Sequence, residues 1–149
     1  MNSDTYTEKL NAFNPLSAGL KAYIDTIAEK TDYKKGEALF LARYKNIFFP
    51  LVKSGSIKLF AVNRETDQEA FFGTYGTNDF LYHFAKLNHV SKYELYAEFL
   101  EDSSIVAISE KHFSNVMKLF SDASHLNLIY TSFHFNILFG LLIDKAENS

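Results

Sequence analysis

The sequence predicts a mainly β domain, a small barrel or sandwich with flanking helices and a long C-terminal helix. Two observations carry this. Between residues 31 and 108, short apolar runs are separated by turn signals at roughly eight- to twelve-residue spacing, the pattern of an antiparallel barrel or sandwich. After Ile108 the apolar period changes from that of a strand to that of a helix.

The 149 residues suit one domain, expected over 1–149, with no internal repeat and no linker to a second domain. Its parts are an N-terminal helix over 14–30, a β-roll over 31–108 and C-terminal helices over 109–149. In "NPLSAGLKAYIDTIAEK", Leu16, Leu20, Tyr23, Ile24 and Ile27 recur at helical spacing, and Ser17 is placed to cap the helix. Lys34-Lys35-Gly36 reads as a turn and "EALFLA" as the strand after it. In "NIFFPLVKSGSIKLFAV", Ser54-Gly55 separates two apolar runs, a hairpin signal, and Pro50 marks the first run as an edge or irregular strand. Ile57, Leu59 and Ala61 share one face of the second run, and Lys58, Phe60 and Val62 the other. "NRETDQ" connects to "EAFFGTYG", and "EDSS" separates two further short strands, the first with Leu95, Ala97 and Phe99 alternating.

"SEKHFSNVMKLF" is an amphipathic helix capped by Ser109, with Phe113, Val116, Met117 and Phe120 on one side. "SDAS" breaks it before a long helix with two apolar stripes. Leu126, Ile129, Phe133, Ile137 and Leu141 form one, and Leu128, Phe135, Leu138 and Leu142 the other. A helix apolar on two sides needs cover on two sides. From Ala123 to Ile143 there is no Asp, Glu, Lys or Arg, and the length approaches a membrane span. Ser124, His125, Asn127, Thr131, Ser132, His134 and Asn136 argue instead for a helix covered by protein.

Composition excludes some chemistry. Cysteine is absent, which removes disulfides, thiolate metal sites and cysteine nucleophiles. The net charge of -3 argues against a surface that grips nucleic acid. The start, "MNSDTYTEKL", has no apolar run of signal-peptide length, so a cytoplasmic location is expected. His83, His89, His112, His125 and His134 show no paired ligand spacing, so no metal is expected. Ser54-Gly55-Ser56 lacks the context of a nucleophile elbow, and Gly73 and Gly76 lack phosphate-loop spacing. Glu98, Glu101 and Asp102 read as an exposed edge and turn. With no nucleophile, base and orienting group in combination, the chain is not expected to be an enzyme.

The order helix, β-roll, short helix within the roll, strands and long helix resembles the cyclic-nucleotide-binding domain of the CRP/FNR transcriptional regulators. "KKGEALF", "LVKSGSIKLF", "NDFLYHF" and "LEDSSIVAISEKHFSNVMKLF" carry the resemblance, which covers nearly the whole chain. It implies a double-stranded β-helix, or jelly roll, with the long helix as a homodimer seam of Leu126, Ile129, Phe133, Asn136, Ile137 and Gly140. It also implies a phosphate-binding cassette, in which a short helix offers backbone N–H groups to the cyclic phosphate. A Gly-Glu pair follows the entry there, the Glu binding the ribose hydroxyl, and an Arg followed by Ser or Thr meets the phosphate.

On this chain Asp79-Phe80 matches the lead-in, while the Gly-Glu positions fall on Tyr82-His83 and the Arg-Ser positions on Tyr93-Glu94. The candidate ligand residues are therefore Phe80, Leu81, Tyr82, His83, Tyr93, Glu94 and Leu95, with Leu138 and Phe139 of the long helix facing the base. All four signature residues are exchanged, and no arginine remains to neutralise a phosphate, so cyclic AMP and cyclic GMP are not expected ligands. Tyr82, Tyr93 and Tyr96 either fill the pocket or orient another, unidentified small ligand. DNA contact would need a helix-turn-helix that this chain lacks. The leading reading is a CRP/FNR-type sensor domain with an altered pocket. The alternative is a ligand-free interaction module, with the roll as scaffold and the apolar helix docking a partner.

Overall fold

The structure is a computed structural model that describes residues 3–43, 48–81 and 92–147. The chain divides into two compact units: Ile27–Phe113, and Met1–Thr26 together with Ser114–Ser149.

The first unit is built of strands β1 (Glu29–Tyr33), β2 (Ala38–Phe40), β3 (Phe48–Ser54), β4 (Ser56–Asn63), β5 (Glu69–Gly76), β6 (Tyr93–Phe99) and β7 (Ser103–Ile108). They form two antiparallel sheets, ordered β1-β7-β3 and β2-β6-β4-β5. β4 buries Ile57, Leu59 and Ala61, and β6 buries Leu95, Ala97 and Phe99, as their alternation predicts. Val52 of β3 and Ile105 of β7 join the same apolar cluster, so both sheets contribute to one core. This is a mostly antiparallel jelly roll with flanking helices.

Pro50 lies on β3, the last strand in its sheet's order, where a missing N–H is best tolerated. The β3–β7 register shifts beside it, and Phe49 takes φ +50°. Gly36 (φ +91°) and Gly55 (φ +105°) occupy the expected turns.

The second unit is helical. It contains α1 (Ser3–Asn11), α2 (Ala18–Ile27) except its last residue, the later part of α3 (Glu110–Leu119) and α4 (Ser121–Glu147). Ser17 caps α2, its Oγ accepting the Leu20 N–H at 3.2 Å. In the same way the Ser109 Oγ accepts the His112 N–H at 3.3 Å at the start of α3. Tyr6, Leu10, Leu20, Ile24, Leu126 and Tyr130 are fully buried. Phe13 packs against Tyr130 and Phe133, with ring centroids 5.1 and 5.4 Å apart.

Several expectations are corrected. The helix expected over 14–30 is α2, which stops at Ile27, and β1 begins inside that span at Glu29. The strand expected through "EALFLA" is three residues long, because Leu41–Arg43 turns into a 3-10 helix. α1 was not expected; only Tyr6 and Leu10 mark it, one turn apart and both buried. Leu126, assigned to a dimer seam, is fully buried within its own chain.

Candidate ligand-binding site

The cassette lead-in is built where β5 ends. The Asp79 carboxylate accepts the Gly76 N–H at 2.8 Å, and the Asp79 N–H donates to the Gly76 carbonyl at 3.0 Å. These bonds close a tight turn through Asn78 at φ +77°, a conformation asparagine tolerates. The chain then runs along β3. The Asn78 N–H donates to the Val52 carbonyl at 2.7 Å, the Val52 N–H to the Asp79 carbonyl at 2.8 Å, and the Leu81 N–H to the Pro50 carbonyl at 2.8 Å. Phe80 bridges Leu51 in antiparallel register. Phe80 and Leu81 are thus held by the backbone, and the Leu81 side chain is buried in the roll's core. The Tyr75 phenol, also against this core, has its pKa raised by burial and then by the nearby Asp79 charge.

Tyr82 and His83 lie outside the described residues, as does His89. Tyr93 opens β6 opposite Asn63, Glu94 lies opposite Val62 and Leu95 opposite Ala61. Strand alternation separates the first two. Tyr93 and Leu95 share the parity of the core-facing residues, whereas Glu94 shares that of Tyr96 and Glu98 on the outer face. Tyr93 is 38% exposed, at the open end of that core-facing row. The structure therefore does not bring Tyr93 and Glu94 to one point. Phe139 is half exposed in α4 and stacks on Phe135 at 5.9 Å; the Leu138 side chain is outside what is described.

A concavity away from these positions has no counterpart in the sequence reading. A polar cleft of about 560 Å³ is lined by Lys30, Asp32, Tyr33, Lys34, Glu37, Ser54, Asp102, Ser103 and Ser104. Its carboxylates are committed. Asp32 accepts the Ser104 hydroxyl at 2.6 Å and pairs with Lys30 at 3.7 Å. Ser104 and Lys30 together hold its carboxyl below the usual value. Glu37 accepts the Lys34 N–H at 2.8 Å, and Asp102 the Lys35 N–H at 2.9 Å. These bonds tie turns together. The cleft escaped the sequence reading because β1 carries no apolar alternation. Among the described residues no group of three or more His, Asp or Glu is placed to hold a metal ion.

This arrangement, two antiparallel sheets around one core with a long helix after the last strand, is the fold of cyclic-nucleotide-binding domains. No protein-family model matches the chain, and no curated protein matches it by sequence. Solved structures do match in fold. A candidate transcriptional regulator of the CRP/FNR family from Eubacterium rectale superposes with a TM-score of 0.72 at 17% identity, covering 95% of this chain and 66% of that one. The catabolite activator protein of Thermus thermophilus gives 0.63 at 19% identity, covering 93% and 63%. The sensor domain of the transcriptional regulator DNR from Pseudomonas aeruginosa gives 0.65 at 16% identity, covering 89% of both chains. The chain spans about two thirds of the length of the first two proteins.

Proposed function

We propose that this chain is the sensor domain of a cytoplasmic transcriptional regulator, a single non-enzymatic domain whose pocket no longer takes cyclic AMP or cyclic GMP. The fold likeness to CRP/FNR regulators and to an isolated sensor domain supports the first part. The observation that carries the second is Tyr93. At the start of β6, at the position where the resemblance sets an arginine, it offers a ring and a hydroxyl but no positive charge. A cyclic phosphate brought there would shed water without gaining a charge-assisted bond.

The mechanism is a population shift. A small ligand held by the roll stabilises one arrangement of the long helix, and only its differential affinity for the two arrangements moves the output. The domain acts as a homodimer through α4. Ile129, Phe133, Asn136, Ile137 and Gly140 remain as the seam once Leu126 is assigned to its own core. α4 is also long and apolar enough to cross a membrane on length and composition alone. Its first half serves a protein core instead: Leu126, Tyr130 and His134 are buried, and the His134 Nδ1–H donates to the Tyr130 carbonyl at 2.9 Å.

The second reading is a ligand-free interaction module. It is favoured by the exposed apolar residues of α4, among them Leu128, Phe135, Phe139 and Ile143. Calorimetric titration of the purified chain with cyclic AMP and cyclic GMP is expected to show no heat. Saturable binding of either at micromolar concentration refutes the altered pocket. A screen of small aromatic and carboxylate compounds by thermal shift separates the readings: a stabilising compound supports the sensor, and none supports the module.

A further inference from the structure

We propose that the outer face of the four-stranded sheet docks a cationic polypeptide segment of a partner protein, one bearing arginine or lysine. The inference does not rest on a pocket: Glu94 and Tyr96, which the sequence assigns to the pocket, lie with the other residues on the outer side of β2, β6, β4 and β5 or in the turn after β2.

Four aromatic residues form one row across this sheet. Phe40 pairs with Tyr96, Tyr96 with Phe60, and Phe60 with Phe71. Ring centroids lie 5.4 Å apart for Phe40–Tyr96 and 5.5 Å for Phe60–Tyr96. A bulge completes the row. The β4–β5 register steps from Leu59↔Gly73 to Phe60↔Phe71, so the extra residue, Phe72, packs against the core and Phe71 faces out. Phe71 is 61% exposed. Cross-strand pairing accounts for the three half-buried rings. It does not account for a bulge that places a phenylalanine in water.

Charge identifies the occupant. The rings already attract cations: Arg43 lies over Phe40 at 5.5 Å and Lys58 over Phe60 at 5.0 Å. Both neighbouring rows carry carboxylates. Glu98 stands opposite Lys58, and both Glu94 and Glu69 stand opposite Val62. Lys58 pairs with Glu69 at 3.6 Å, and among the described residues Glu94 and Glu98 have no ion pair. The balance of the face is negative, which disfavours a phosphate strand and complements a cationic one. Four strands span about 14 Å, room for roughly four extended residues. Side-chain stems would lie on the rings and their cations would reach Glu94 and Glu98.

The test is an NMR titration of the isotope-labelled 149-residue chain with a decapeptide carrying four arginines, its four-glutamate counterpart and oligothymidylate. The arginine peptide is expected to shift the amides of Phe40, Lys58, Phe60, Phe71 and Tyr96, and to weaken with salt. Phe71→Ser, and separately Glu94→Gln with Glu98→Gln, should each weaken it about two- to fivefold, the scale of an exposed cation–π or ion-pair contact. Phe71 is exposed, so its substitution leaves the core intact. The proposal is overturned if the arginine peptide shifts other residues or none, or if the glutamate peptide or oligothymidylate shifts the same row. It is also overturned if raising the protein concentration alone shifts the row, which seats a second copy there.

Discussion

Gly55 and Ser103 meet with no room for a side chain between them. A Cβ built on Gly55 would stand 2.7 Å from the Ser103 Cα and overlap the serine side chain, and Gly55 itself takes φ +105°. The Ser103 Oγ accepts the Ser56 N–H at 3.2 Å and donates to the Glu101 carbonyl at 2.8 Å. The β3–β4 hairpin turn is thus fastened to the start of β7, joining an end of one sheet to an end of the other.

Gly55→Ala should therefore destabilise the roll more than Gly36→Ala. Both glycines have positive φ, but around Gly36 nothing lies within 4 Å of an added Cβ. Gly36→Ala incurs only the backbone strain, about 1–2 kcal/mol. Gly55→Ala adds overlap with Ser103, for a total of about 2–4 kcal/mol. Urea unfolding of both variants measures the difference, and equal losses would show that Ser103 relaxes away.

In the helical unit, the Asp122 carboxylate accepts the Ser17 N–H at 2.8 Å across 105 residues of sequence. This backbone bond is the main reason the Asp122 pKa is lowered from 3.8. A lowered folded pKa means the carboxylate stabilises the folded state fully above about pH 3.8 and loses that contribution as pH falls through the folded value. Asp122 is largely solvated, so the effect is small, under about 1 kcal/mol. Asp122→Asn should be destabilised at pH 6 and should converge on the parent near pH 2. A gap that persists undiminished in acid would assign the effect to packing.

Which parts of this were legible follows from where the signal resides. β4 could be read because Ile57, Leu59 and Ala61 alternate within one strand, and Pro50 could be placed because its missing N–H restricts it wherever it falls. β1 could not. "EKTDY" has no apolar alternation and becomes a strand only through its register with β7. α1 shows just two apolar residues, and one of them, Tyr6, lies close to Tyr130 of α4, far along the chain. In the candidate site, the exchange of the signature residues was visible one position at a time. The separation of Tyr93 from Glu94 required knowing that both lie on one strand, where neighbours face opposite ways. The aromatic row was invisible because it exists only across four registers and a bulge.

If missing contacts alone silence the pocket, restoring them should restore nucleotide binding. Tyr93→Arg with Glu94→Ser, combined with Tyr82→Gly and His83→Glu, returns the family's four residues; because position 94 faces away from position 93, its exchange removes a nearby negative charge rather than adding a contact. A single charge-assisted arginine–phosphate contact contributes about 1.5–3 kcal/mol, roughly ten- to 150-fold in affinity. The quadruple variant is expected to bind cyclic AMP measurably by calorimetry where the parent does not, and reverting position 93 to Tyr should remove most of the gain. A correctly folded quadruple variant that shows no heat would place the obstruction elsewhere in the pocket.

The last prediction concerns which line of α4 meets a second copy. Ile129, Phe133, Asn136, Ile137 and Gly140 fall close to one line, spaced three and four apart. Phe135 and Phe139 lie elsewhere, and their rings stack on one another at 5.9 Å. Gly140 has nothing within 4 Å of an added Cβ, which leaves space for the backbone of a partner helix. A polar residue such as Asn136 within a seam fixes its register. Phe133, 48% exposed, and Ile137, 41% exposed, are the apolar residues on that line left open to cover, and Ile137 is the one a single turn from Gly140. Ile137→Asp buries a charge twice in a symmetric pair and should weaken self-association more than about tenfold in sedimentation equilibrium. Its melting temperature, extrapolated to low concentration, should stay near that of the parent, because the side chain lies outside the monomer core. Phe135→Asp should change the association far less. If Phe135→Asp dissociates the dimer and Ile137→Asp does not, the seam follows the other stripe. Gly140 would then sit on the flank of the pair, and Asn136 would have no part in setting its register.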